Sequence, residues 1–192
     1  MVSAIVLAGG RSTRFGRDKL AEPLDGVPLL WRTIDAVRAV ADDIVVVVAL
    51  GADPALPDGV RVAHDPAPDQ GPLVGVVAGL EAVRQDVVIV VGGDMPWIQA
   101  LVLEAMLARL EGSGSAVALE VDARAQQLPL AVRRAAALKT ARGLVESGER
   151  RLGALAEALD LATIAEADWR AIDPGADSLR DIDLPEDLPP TG

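Results

Sequence analysis

Short, nearly continuous apolar runs alternate along this chain with longer stretches whose apolar residues recur every three or four positions. Val2–Leu7, residues 44–50 and residues 87–91 are runs of the first kind, rich in valine and isoleucine. A strand buried on both faces reads this way. Residues 29–40, opened by Pro28, put Leu30, Ile34, Val37 and Val40 on one helical face. The pattern predicts further helices over 74–83, 99–110, 134–147 and 152–159. It also predicts strands over 60–63, 116–121, 128–132 and 161–164. Strands separated by helices of this length build βαβ units, hence an α/β fold with a mostly parallel sheet covered on both faces. No repeat, low-complexity tract or long linker divides the 192 residues, so residues 1–192 are read as one domain. The acidic, proline-containing segment 173–190 is expected to wrap back onto the body.

Composition removes many kinds of chemistry. The chain has no cysteine and one histidine, His64, which excludes disulfides, thiolate metal sites and cysteine nucleophiles, and disfavours zinc hydrolases and Ser-His-Asp triads. A metal here must be held mainly by oxygen, which points to magnesium, manganese or calcium. Eighteen basic against 29 acidic residues give a net charge of −11, a field that repels nucleic acid. Aromatic residues make up 2% of the chain, leaving few platforms for stacking on single strands. The apolar runs are far shorter than the ~20 residues of a membrane span. No charged segment precedes the first run and no A-x-A-like site follows a signal-length core, which predicts no export signal and a cytoplasmic location.

In an open parallel sheet, ligands bind beyond the carboxyl ends of the strands, so the residues that follow each strand matter most. After Leu7 comes Ala8-Gly9-Gly10-Arg11-Ser12-Thr13-Arg14-Phe15-Gly16-Arg17-Asp18-Lys19. Glycines here admit close backbone approach and turn N–H groups toward an anion, and four cations follow within nine residues. In a chain this acidic, that cluster reads as a polyphosphate site, against the plainer reading of an exposed loop. Five residues separate Gly10 from Gly16, and Arg17-Asp18 follows, so the loop is not a Walker A motif, and no G-x-G-x-x-G is present. Lys19 is one of only two lysines beside 16 arginines. Its compact ammonium suits a phosphate oxygen.

Asp94 follows an all-apolar run and Gly92-Gly93, where a lone carboxylate is a magnesium ligand in waiting. Capping of the next helix is the competing role. Asp65 offers a second carboxylate at the same edge, with turn formation before Pro66 as its alternative. Gly71-Pro72-Leu73-Val74-Gly75 opens a helix whose first N–H groups suit a second anion. Asp181-Ile182-Asp183 places two carboxylates on one face if extended, either to hold a metal or substrate or as a plain acidic surface. His64 reads as structural.

Taken together, these pieces resemble the nucleotidyltransferase family that includes molybdenum cofactor guanylyltransferase. Besides those above, the resemblance rests on Gly93-Asp94-Met95-Pro96, Pro129-Leu130-Ala131-Val132, Gly148-Glu149-Arg150-Arg151 and Asp181-Ile182-Asp183-Leu184-Pro185-Glu186-Asp187-Leu188, in family order across nearly the whole chain. It implies a Rossmann-like, three-layer α/β fold of the nucleotidyltransferase type. It implies transfer of GMP from GTP to Mo-molybdopterin, with Mg2+, giving the guanine dinucleotide and pyrophosphate. By this likeness Leu7, Ala8, Gly9, Gly10, Lys19, Asp65 and Asp94 contact the nucleotide, and Asp94 carries the metal. Arg14, Gly71, Gly75, Arg151, Asp181 and Asp183 fall on the acceptor side, and Lys19, Arg14 and Asp94 form the catalytic set. Transient contact with molybdoenzymes or their chaperones follows from the same likeness. The sequence departs from the family in having Phe15 where methionine is usual, Val48 or Ala49 in the region of an expected asparagine, and aspartates in a tail that usually reads Asn-x-Asn.

The residue inventory suits that chemistry. An acceptor phosphate monoester is already anionic and needs no histidine or cysteine base to attack an α-phosphorus, so in-line displacement without a covalent intermediate is expected. Three alternatives stay open. One is the same fold acting on CTP with molybdopterin, or on another phosphate-bearing acceptor such as a sugar 1-phosphate. Another is a non-catalytic nucleotide- or cofactor-binding protein. The last is a purely structural partner domain, which would leave the basic glycine loop without a purpose.

Overall fold

The computed structural model describes residues 1–9, 19–67, 70–182 and 187. Seven strands form one sheet: β1 (Val2–Leu7), β4 (Asp43–Ala49), β5 (Arg61–Asp65), β6 (Val87–Gly92), β7 (Ala116–Val121), β8 (Arg124–Arg133) and β9 (Leu161–Ile164). Their spatial order is β5-β4-β1-β6-β8-β7-β9. Only β8 runs against the rest. A two-strand ribbon, β2 (Pro23–Leu24) and β3 (Val27–Pro28), leads into the first helix.

The helices are α1 (Leu29–Arg38), α2 (Pro72–Ala82), α3 (Ala100–Glu111), α4 (Arg134–Glu146), α5 (Leu152–Ala158) and α6 (Glu166–Ile172). Successive residues of a strand face opposite sides, and the cores follow that parity. Ala4, Val6, Val46 and Val91 pack with Ile34 of α1, Leu103 of α3 and Trp169 of α6. Ile5, Val45, Val47 and Val90 pack with Leu73 of α2, Ala137 of α4 and Leu155 of α5. The result is helix, sheet, helix: the three-layer α/β arrangement that the alternation of runs predicts.

The expected strands and helices occur, with the β2–β3 ribbon, a longer β8 and helix α6 as differences. Strand β8 starts at Arg124 rather than 128, extended by a hairpin whose turn residues Asp122 and Ala123 have positive φ. Helix α6 has no counterpart in the sequence reading. Seven residues make a marginal helix on their own. Here Trp169, fully buried, anchors it, and its indole Nε1 donates to the Glu120 carbonyl at 2.8 Å. Removing a tryptophan of this size from water is worth about 4–6 kcal/mol as an upper estimate. Tertiary burial, not local periodicity, makes this helix. Among the described residues no helix is long and apolar enough to cross a membrane.

Candidate active site at the carboxyl edge of the sheet

Chain direction creates the site. From β1 the chain passes through α1 to β4 on one flank, while from β5 it returns through α2 to β6 on the other flank of β1. The carboxyl ends of β1 and β6 therefore part at a topological switch point, where a crevice opens. Leu7 pairs with Val47 of β4 and Gly92 of β6. Just beyond the ladder, Ala8 N–H donates to the Val47 carbonyl (2.8 Å) and Gly93 N–H to the Leu7 carbonyl (2.9 Å). A β-carbon on Gly9 would stand 3.7 Å from the backbone of Val47–Ala49. Leu7, Ala8 and Gly9 thus line the crevice, half-buried.

Lys19 opens a 3-10 turn, Lys19–Ala21. Its Nζ donates to Asp94 Oδ2 at 2.7 Å and to the Ile182 carbonyl at 2.8 Å. The side chains of Lys19 and Asp94 are 14% and 24% exposed, so the pair sits at the crevice mouth rather than in the core. A β-carbon at Gly92 would collide with Asp94 Oδ1, so the glycine is what lets the carboxylate fold back over the strand end. Buried Thr33 on α1 donates to the Gly93 carbonyl at 3.1 Å and steadies the same turn. The helix-capping alternative for Asp94 does not occur. Helix α3 starts at Ala100 behind Gln99, whose N–H goes to Ser178 Oγ at 3.0 Å.

Asp65 closes β5 and is buried. Its Oδ1 accepts from Ala67 N–H at 2.8 Å, an Asx turn, so the turn role does occur. Oδ2 faces α2, within 3.4 Å of where a β-carbon would stand on Gly75. Asp65, Gly9 and Asp94 follow β5, β1 and β6 along one row, about 14 Å from end to end at ordinary strand spacing.

Gly71 caps α2 with φ +98°, and a β-carbon there would lie 2.8 Å from the Arg150 carbonyl oxygen. That same oxygen accepts from Leu73 N–H at 3.3 Å. The α4–α5 loop is thereby pinned to the start of α2. Arg151, exposed at the head of α5, pairs with Glu149 at 2.8 Å. Hydrogen bonds from the Arg151 guanidinium, then from the backbone N–H groups of Arg151 and Arg150, hold the Glu149 carboxyl down to about 2. Asp181 is exposed, one residue before Ile182, whose N–H donates to the Asp94 carbonyl at 3.1 Å. Segment 173–182 does wrap back onto the body.

The structure therefore brings Leu7, Ala8, Gly9, Lys19, Asp94 and the Asp181 backbone to one crevice, with Asp65 and Gly75 further along the same edge. Gly71 and Arg151 gather around the start of α2. Gly10, Arg14 and Asp183 lie outside the described residues. Sequence reasoning missed Ile182 and Thr33, both of which act on the Lys19–Asp94 corner through backbone contacts. The visible signals were a threonine among the apolar positions of α1 and an isoleucine set between two aspartates.

A carboxylate with one oxygen engaged by Lys19, and its side chain a quarter exposed, fits magnesium, which takes one or two protein carboxylates and completes its shell with phosphate oxygens and water. Among the described residues no group of three or more His, Cys, Asp or Glu side chains could hold a metal by itself.

A family model described as the MobA-like NTP transferase domain matches residues 4–162. The probable molybdenum cofactor guanylyltransferase of Chloroflexus aggregans is 36% identical to this chain, covering 98% of it and 92% of that protein. The molybdenum cofactor guanylyltransferase of Desulfosudis oleivorans is 30% identical, covering 97% and 92%. In fold, the chain is similar to molybdopterin-guanine dinucleotide biosynthesis protein A from Archaeoglobus fulgidus, with TM-score 0.78 and 20% identity over 97% of this chain and 94% of that one. It is also similar to 2-C-methyl-D-erythritol 4-phosphate cytidylyltransferase from Thermus thermophilus, with TM-score 0.73 and 18% identity over 98% and 96%. By the family match and by its full-length relatives, the chain belongs to the MobA-like NTP transferases.

Proposed function

We propose that this chain transfers GMP from GTP to the terminal phosphate of Mo-molybdopterin, releasing pyrophosphate, and does so in the cytoplasm, where molybdoenzymes or their chaperones would receive the product. The observation that carries the reading is the Lys19–Asp94 pair, 2.7 Å apart, at the β1/β6 switch point. The relatives named as molybdenum cofactor guanylyltransferases support the choice of base and acceptor.

An oxygen of the acceptor phosphate forms the new bond to the α-phosphorus, and the bond from that phosphorus to the β-bridging oxygen breaks. Pyrophosphate leaves in line. The nucleophile is ionised at neutral pH, so no side chain has to take a proton, and the barrier lies in bringing anions together and in the charge of the leaving group. Lys19 would sit on the nucleotide phosphates. Gly9, with no side chain, would let the nucleotide come close to its backbone. Asp94 would hold magnesium, which when bound neutralises phosphate charge. Asp65 extends the nucleotide row, while Gly71, Gly75, Arg151 and Asp181 face the acceptor.

The test is pyrophosphate release by the purified chain with magnesium, each of the four ribonucleoside triphosphates, and molybdopterin, Mo-molybdopterin or sugar 1-phosphates. Turnover is expected with GTP and the molybdopterin acceptors, with the dinucleotide seen by mass spectrometry. Turnover only with CTP or with a sugar phosphate overturns the pairing. Saturable GTP binding without turnover on any acceptor overturns the enzyme.

A further inference from the structure

The nucleotide lysine does not hold its place alone. Three bonds close a triangle: Lys19 Nζ to Asp94 Oδ2 at 2.7 Å, Lys19 Nζ to the Ile182 carbonyl at 2.8 Å, and Ile182 N–H to the Asp94 carbonyl at 3.1 Å. Ile182 is the corner that belongs to neither β1 nor β6. Its side chain is fully buried against Leu24 and Leu29, with Trp97 packed on the same cluster. Around it the strap from 173 to 182 is fastened at several points. Asp173 accepts from the N–H groups of Asp177 and Ser178 at 3.1 and 2.7 Å. Fully buried Ser178 accepts from Gln99 N–H, and the Arg180 guanidinium lies 4.2 Å over the Trp97 ring.

The chemistry of the corner is specific. A main-chain carbonyl is a neutral acceptor that can orient an ammonium without cancelling its charge, whereas a further carboxylate in its place would compete with phosphate. A bond from a charged donor is stronger than one between neutral groups, but only if the acceptor stays in place. An isoleucine sealed under the strap fixes its own carbonyl through packing.

We infer that Ile182 is a positioning residue for the nucleotide: its buried side chain seats its carbonyl on Lys19 and so sets the lysine for phosphate binding. This inference rests on the nucleotidyltransferase reading. It joins the segment carrying Asp181, on the acceptor side, to the phosphate lysine within one residue.

A double-mutant cycle on the affinity for GTP with magnesium tests it, read by calorimetric titration, with a thermal melt of every variant. Ile182→Ala is expected to weaken GTP by about tenfold, and Ile182→Val to stay within about twofold of the parent. In a Lys19→Ala background, Ile182→Ala is expected to cost nothing further, because the group it positions is gone. Equal losses with and without Lys19, or a loss in Ile182→Val as large as in Ile182→Ala, would overturn the positioning role while leaving the function standing. Should the parent chain bind no nucleoside triphosphate at all, both readings fall together.

Discussion

The sheet carries an ion pair at each of its two edges, and they are built to opposite specifications. At the amino edge, Asp43 accepts from Ser3 Oγ (2.7 Å), Arg84 N–H (2.9 Å), and Arg61 Nε (3.1 Å) and Nη2 (2.5 Å), and its side chain is 6% exposed. Every carboxylate oxygen is spent on the chain itself, tying the starts of β1, β4 and β5 to the residues before β6. At the carboxyl edge, Asp94 meets Lys19 through one oxygen, and four times as much of its side chain is open to solvent. A saturated pair has no capacity left for a ligand, so it holds structure. A carboxylate with one oxygen engaged and its side chain open to solvent keeps room for a cation.

Substitutions at the two edges should therefore fail in different ways. The largest effect is expected from Asp94→Ala or Lys19→Ala, each lowering turnover by about 10²–10³-fold, the usual cost of removing one electrostatic contact to a transition state. Both should leave the thermal midpoint nearly unchanged. Near-normal pyrophosphate release from Asp94→Ala would break the comparison, because the open pair would then be structural too.

Next comes Asp43→Ala, measured by urea unfolding. Stripping one partner from a buried pair costs 3–5 kcal/mol, and because Arg61 is 32% exposed and can rehydrate, about 2–4 kcal/mol is expected here. Turnover of the folded fraction should stay at the parent's level. The same site gives a pH signature. Burial alone would raise the Asp43 carboxyl, but the hydrogen bonds from Ser3, Arg61 and Arg84 N–H, with the Arg61 charge, outweigh it and leave it below the ordinary 3.8. A depressed carboxyl gives stability that is present in full above 3.8 and drains away as pH falls below it. The stability gap between the parent and Asp43→Asn should be flat above about pH 5 and narrow below about pH 4.

The two edges also differ in how much of them the sequence shows. The carboxyl edge is legible because its chemistry is local: glycines directly after apolar runs mark Gly9 and the approach to Asp94, and the basic stretch after Gly10 ends on Lys19, without any knowledge of pairing. The three-layer fold is legible for the same reason, since buried runs and helical periods are local patterns. The Asp43 cluster is invisible there. Ser3, Asp43, Arg61 and Arg84 are far apart in the chain, and each looks like ordinary surface polarity until strand register brings them together. Ile182 and Trp169 stayed hidden because burial by distant partners fixes them, with no periodicity of their own.

Gly71→Ala probes the seam between the α2 start and the α4–α5 loop. An alanine must adopt φ +98° and push back the Arg150 carbonyl, costing about 1–3 kcal/mol. If Gly71 and Arg151 form the acceptor side, KM for the acceptor should rise several-fold while GTP affinity stays within about twofold. An equal weakening of both would mean that the row from Asp65 to Asp94 and the α2 start are a single subsite.

The smallest effect is the sharpest check on the chemistry. His64 is the only histidine, and it stands on the exposed face of the outermost strand β5, its Nδ1 no nearer than 3.5 Å to the Ala49 carbonyl. It is adjacent in sequence to Asp65, yet successive strand residues face opposite ways, so Asp65 turns toward α2 while His64 turns outward. A transfer whose nucleophile arrives ionised has no use for an imidazole. His64→Ala should leave turnover unchanged across neutral pH and shift stability by no more than about 0.5 kcal/mol. A loss of turnover in His64→Ala would instead mean that a proton has to be removed during transfer, and the acceptor would have to be an alcohol rather than a phosphate.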